Sequence, residues 1–105
     1  MIKLLNIQTS KDVIASSPWV VAEGMKPHRY VIRDLGPIAT VDEINEYVVH
    51  EEVLTEDEGD SIGARLTFFQ TGFYTTDIKE AWEDFNDRAE RSVRLLTVAG
   101  EVTYA

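Results

Sequence analysis

The stretch "DIKEAWEDFNDRAERSVRLL", Asp77 to Leu96, decides the fold. Ile78, Ala81, Trp82, Phe85, Ala89, Val93 and Leu96 recur at steps of three and four, which gathers them on one face of a helix. Asp77 with Glu80 three residues on forms a capping box, so the spacing predicts a helix over 77–96 whose apolar stripe, Trp82 and Phe85 included, is core. The polar side is ordered as well. Asp84, Asp87 and Glu90 each precede an arginine (Arg88, Arg91, Arg94) by four residues, the favourable direction for helical ion pairs. An arginine row that might suggest a phosphate ladder is thus answered within its own helix.

A single helix with one apolar stripe needs a surface to cover, and the flanking sequence supplies strands. "ARLTFFQTGFY", Ala64 to Tyr74, sets Leu66 and Phe68 on one side as core and Arg65, Thr67 and Phe69 on the other, with Gly72 marking a bend or bulge. "EYVVHEEVL", Glu46 to Leu54, is β-branched and aromatic, and "TEDEGDSIG" follows as a turn-rich connection. Together they predict an acidic hairpin over about 46–71. Thr40 with Glu43 also fits a capping box, and Val41, Ile44 and Val48 keep helical spacing, so a helix over part of 41–52 is the rival reading. "HRYVIRDLG" reads as a strand ended by Gly36 and Pro37, "IKLLNI" as another, and "PWVVAEG" as a further short apolar run. "TSKDVIASSP" reads as a short helix capped by Thr9 or Ser10, and "TVAGEVTYA" as a final strand or a loose end. The expectation is one α+β domain over 1–105: a largely antiparallel sheet packed on one face by the long C-terminal helix.

The composition sets limits on function. With 105 residues, 44% apolar, 28% charged and no cysteine, the chain is long enough for a core and has no thiol for disulfides, metal or nucleophilic chemistry, which fits a reducing, cytoplasmic setting. The stretch "MIKLLNIQTSKD" does not read as a signal peptide, and no apolar run in the sequence approaches membrane-spanning length. A net charge of −9 disfavours direct contact with nucleic acid or anionic lipid.

That charge is concentrated. From Asp34 to Ala64 there are ten acids and no base, whereas residues 1–33 sum to +3 and residues 65–105 to −2. "HEEVLTEDEGDS", His50 to Ser61, alone carries six carboxylates. Such a run either decorates a solvated strand and loop or recognises a basic surface.

Chemistry of other kinds finds no motif. Placing Gly59 at the glycine of a calcium loop puts Leu54 and Arg65 where the first and last carboxylates belong. His28 and His50 lack metal-ligand spacing, and His50 reads as an exposed or half-buried strand residue influenced by neighbouring acids. No G-x-S-x-G elbow or phosphate-binding glycine loop occurs. The reading is therefore of a non-enzymatic protein without metal or cofactor.

The candidate partner-binding residues are Asp42, Glu43, Glu46, Glu51, Glu52, Glu56, Asp57, Glu58 and Asp60, with Tyr47 and Phe69 as an adjoining apolar patch on the open sheet face. In size and composition the chain resembles small proteins of phages and mobile elements. Several of those are stoichiometric inhibitors that present carboxylates, as a nucleic-acid mimic, to the groove of a nuclease. That resemblance implies a basic partner surface on a nucleic-acid-binding protein. The alternative is a homo-oligomeric accessory domain, dimerising through the apolar patch, in which the acids serve only solubility.

Overall fold

The computed structural model describes residues 9–22, 24–39, 44–54, 67–99 and 102–104, with side chains as far as Ser92. The chain runs β1 (Val13–Ser16), β2 (Val20–Ala22), β3 (His28–Pro37), β4 (Asn45–Leu54), β5 (Thr67–Thr75), α1 (Ile78–Ala99) and β6 (Val102–Tyr104). The sheet is antiparallel in the order β5-β4-β3-β2-β6, with β1 also paired to β3. The protein is of the α+β class, with α1 packed on one face of the sheet.

The helix starts where the sequence places it. Asp77 Oδ1 accepts from Lys79 N at 2.9 Å, capping the first turn. Glu80 does not complete the box; its Oε2 instead accepts from the Thr75 hydroxyl at 3.4 Å. Ala81 and Phe85 are buried against Ile32 and Val49, with Ala15, Tyr30, Tyr47 and Phe73 packed around them. Burying each large apolar side chain contributes roughly 1.5–3 kcal/mol, which is what fixes the helix to the sheet. The contact stripe is narrower than its periodicity suggests, because Ile78 and Trp82 remain exposed, Trp82 at 42% with its ring edge-on to Phe85.

The strand readings hold for β3 and β4, and β4 settles the rival helix from Asn45 onward in favour of strand; residues 40–43 lie outside the described residues. Also outside them are "IKLLNI" and the connection 55–66. "TSKDVIASSP" is not a helix. Val13 to Ser16 form β1, because long-range pairing with Val31–Arg33 outweighs the local capping signal, and Val13 N closes a turn on Ser10 O at 3.1 Å.

β1 and β2 lie in succession along β3, separated by Ser17, Pro18 and Trp19, where Ser17 Oγ accepts from Tyr30 N at 2.8 Å. On β5 one extra residue enters opposite Val49–Glu51: Thr71 takes φ 52° beside Gly72, giving the bulge that the glycine signals. The bulge resets the alternation. Beyond it Phe73 faces the helix beside Val49; ahead of it, opposite Val53, Phe68 is 41% exposed rather than core. Among the described residues no helix is long and apolar enough to cross a membrane.

Candidate functional site

Strand β4 sends Glu51 and Glu52, two of the described acids of the block, to opposite faces of the sheet. Asp42, Glu43, Glu56, Asp57, Glu58 and Asp60 lie outside the described residues. Of the rest, Glu46, Tyr47, Glu51 and Glu52 are on β4 and Phe69 is on β5. Strand alternation sends Tyr47, Val49 and Glu51 toward α1, and Val48, His50 and Glu52 to the opposite face. Phe69 pairs with Glu52, and Tyr47 packs on the helix-side core, so the sheet itself separates the two aromatics expected to form one patch. Glu46 is half-buried opposite Gly36.

Glu52 is not a docking residue. It is 1% exposed, receives Arg29 Nε at 2.6 Å, and accepts from the Thr67 hydroxyl at 2.7 Å. The guanidinium of Arg29 lies 4.7 Å over the Trp19 ring and also reaches the Thr9 hydroxyl. Next along the same face, Arg33 donates to Asp12 from Nε and Nη2 and lies 4.5 Å over Phe69. That guanidinium, hydrogen-bonded to Asp12, lowers the carboxyl below its ordinary value despite partial burial. Val31, Val48 and Leu54 are buried on this face too, so its centre is closed rather than open to solvent.

His50 is buried, stacked on Phe69 at 5.3 Å and edge-on to Tyr74 at 6.0 Å. Its pKa is lowered, by burial first and then by Arg33 and Arg88, with Asp12 opposing. The adjacent acids do not govern it as their sequence position suggested, since Glu51 faces the other side and Glu52 is engaged by Arg29.

On the helix side the structure assembles a site that no local motif announces. An open cleft of about 540 Å³ lies between the second half of α1 and the sheet. Glu51 accepts from the Tyr30 hydroxyl at 3.2 Å and from Gln70 Nε2 at 2.6 Å. The Ser92 hydroxyl lies 3.0 Å from His28 Nε2, and His28 Nδ1 lies 3.4 Å from Lys26 O. A carbonyl only accepts, so Nδ1 is the donor in the contact with Lys26 O. Burial raises the Tyr30 pKa, reinforced by Glu51 and opposed by Ser92.

From the helix, Arg88 pairs with Asp84 at 2.8 Å and donates to the Thr71 carbonyl at 2.5 Å, and Arg91 pairs with Asp87. Both ion pairs are those predicted from the four-residue spacing. Arg88 does more than the spacing implied, since it also fixes the β5 bulge. His28 and Ser92 stand 64 positions apart, and only the helix-on-sheet packing brings them together. Among the described residues no three His, Asp or Glu side chains gather closely enough to hold a metal ion.

The fold and these contacts define a small acidic α+β protein. No family model matches the chain, and no curated protein or solved structure matches it either.

Proposed function

We infer that the protein is a non-enzymatic binding protein whose acidic hairpin, residues 42–60, docks on a basic surface of a partner. Nucleic-acid-binding proteins and nucleases carry surfaces of that kind, and an inhibitor that mimics the charge of a nucleic acid is the specific form of the reading. One observation carries it. All four arginines with described side chains, Arg29, Arg33, Arg88 and Arg91, are paired with acids of this chain, and of those acids only Glu52 belongs to the hairpin. Of the three described acids in the hairpin, Glu46, Glu51 and Glu52, only Glu52 meets an arginine among the described residues. The described ion pairs of the hairpin end with Glu52, and the sequence between Asp34 and Ala64 supplies no base of its own. Attraction of this type speeds encounter and weakens as salt screens it.

The test is capture of partners from host lysate by the tagged chain, at low and high salt, beside a variant with Glu56, Asp57, Glu58 and Asp60 replaced by Lys. A nucleic-acid-binding protein retained at low salt, released at high salt and lost with the variant supports the reading. Retention of the same partner by the variant overturns it. Exposed Ile78 and Trp82, one turn apart on α1, favour self-association as the second reading. In that case both chains sediment as the same oligomer and neither retains a partner.

A further inference from the structure

The cleft beneath α1 has a charge arrangement separate from the acidic segment's excess. Two acids, Glu51 and Asp84, and two bases, Arg88 and Arg91, line it, so it is close to neutral in a protein of net charge −9. The four are not evenly matched. Asp84 is held by Arg88, but Glu51, on the sheet side, is met only by the neutral donors of Tyr30 and Gln70. Among the described residues no base lies within ion-pair distance of it.

On the helix side the positive charge is the less committed. Arg91 pairs with Asp87 where both side chains are more than 60% exposed, a contact that solvent screens and a ligand can displace. Arg88 uses Nε and Nη1, and its other N–H groups have no partner among the described residues. An unneutralised carboxylate on the floor and available guanidinium on the wall match a ligand carrying both charges. A ligand with one charge would satisfy one wall and be repelled by the other. Tyr30 and Met25 add apolar surface for a body, and the volume of about 540 Å³ is within the range of small-molecule sites.

The geometry points to a small-molecule site in this cleft that takes a zwitterion of the α-amino-acid class, its ammonium on Glu51 and its carboxylate on Arg91 and Arg88. Arginine suits the second role because its planar fork matches a carboxylate. Glu51 belongs to the acidic hairpin, but Glu56–Asp60 and a macromolecular partner take no part here, so the lysine variant tests the docking surface without altering this site.

The probe is L-phenylalanine, titrated into the full-length ¹⁵N-labelled chain and followed by NMR. Phenethylamine and 3-phenylpropionate serve as halves, each keeping the ring and one of the two charges. The expected result is saturable shifts around Glu51, Arg88 and Ser92, with phenylalanine binding about tenfold or more tightly than either half.

Two variants locate the ends. Glu51→Gln keeps the shape of the floor and should bring phenylalanine down to the affinity of 3-phenylpropionate. Arg91→Gln alters an exposed side chain and should bring it down to that of phenethylamine, with folding checked by the unchanged remainder of the spectrum. Absence of saturable shifts overturns the assignment. So does equal binding by either half, or phenylalanine affinity unchanged in both variants.

Discussion

Glu51 and Glu52 are neighbours in the chain and belong to different regions of the molecule. Glu51 faces α1, half-buried at a cleft, hydrogen-bonded to neutral groups. Glu52 faces the other way and is closed into an ion pair with Arg29. The helix side combines an aliphatic core at Ile32, Val49, Ala81 and Phe85 with an open polar cleft beyond it. The opposite side buries charge directly, with Arg29, Glu52, His50 and Val48 in the same layer. Placing both acids in one docking surface treats charge density along the chain as density in space, and a β-strand breaks that equivalence at every residue.

The largest effect expected from this contrast is at Glu52. Glu52→Ala leaves Arg29 buried without its counter-charge and should lower the unfolding free energy by about 3–5 kcal/mol in a denaturant titration. Replacing both partners, Arg29→Met with Glu52→Leu, should recover most of that loss, because the desolvation cost then disappears with the charges. A Glu52→Ala variant as stable as the parent would mean that the pair is effectively solvated and the two faces are not distinct.

Next is Gly72, where space rather than charge is limiting. A Cβ there would lie 2.8 Å from His50 Nε2 and 3.0 Å from Tyr74, and the imidazole is held by its stack on Phe69. Gly72→Ala should cost about 1–3 kcal/mol as overpacking. An unchanged midpoint would show that His50 has room to move.

Glu51→Gln should cost no more than about 1 kcal/mol in the same titration, since the amide can still accept from Tyr30 and no buried base is orphaned. A loss comparable to that of Glu52→Ala would erase the comparison between the neighbours.

The gentlest perturbation is a proton on His50. Its folded pKa lies below the ordinary 6.5, so the unfolded chain takes up the proton more readily. Stability is full above that value and declines as pH falls through it toward the folded pKa. Asp12 acts in a lower window: its depressed pKa stabilises the fold above the ordinary 3.8, and that contribution is lost on further acidification. Stability measured over roughly pH 7 to 5 should decline less steeply in His50→Gln than in the parent. Identical slopes would remove His50 as the group responsible.

Much of the architecture is legible in local patterns. The α1 stripe, its Asp77 cap and the four-residue ion pairs are short-range features, and so are the β-branched runs of β3 and β4 and the bend at Gly72. The errors have a common cause. The capping signal at Thr9 or Ser10 is overridden by the pairing of β1 with β3, and the alternation that places Phe68 does not report how far the sheet around it is covered. The sequence neighbours of His50 do not set its electrostatics, which come from burial and then from Arg33 on an adjacent strand and Arg88. Of the candidate site, the sequence marks the acids but not which are already engaged; the cleft residues His28, Tyr30 and Ser92 carry no spacing signal, since they join across β3 and α1.

By itself the sequence determined that the chain is acidic, with its charge gathered between Asp34 and Ala64, that it lacks thiol chemistry, and that a long amphipathic helix must cover a sheet. These follow from composition and from periods of two and 3.6 residues, which are properties of the chain alone. Only the tertiary structure decided which carboxylates are neutralised, that both histidines are buried, and that a cleft with charges of both signs opens beneath α1. Those outcomes depend on strand register and on where the helix lies, because electrostatic and hydrogen-bond energies fall off over a few ångströms in space whatever the separation in sequence.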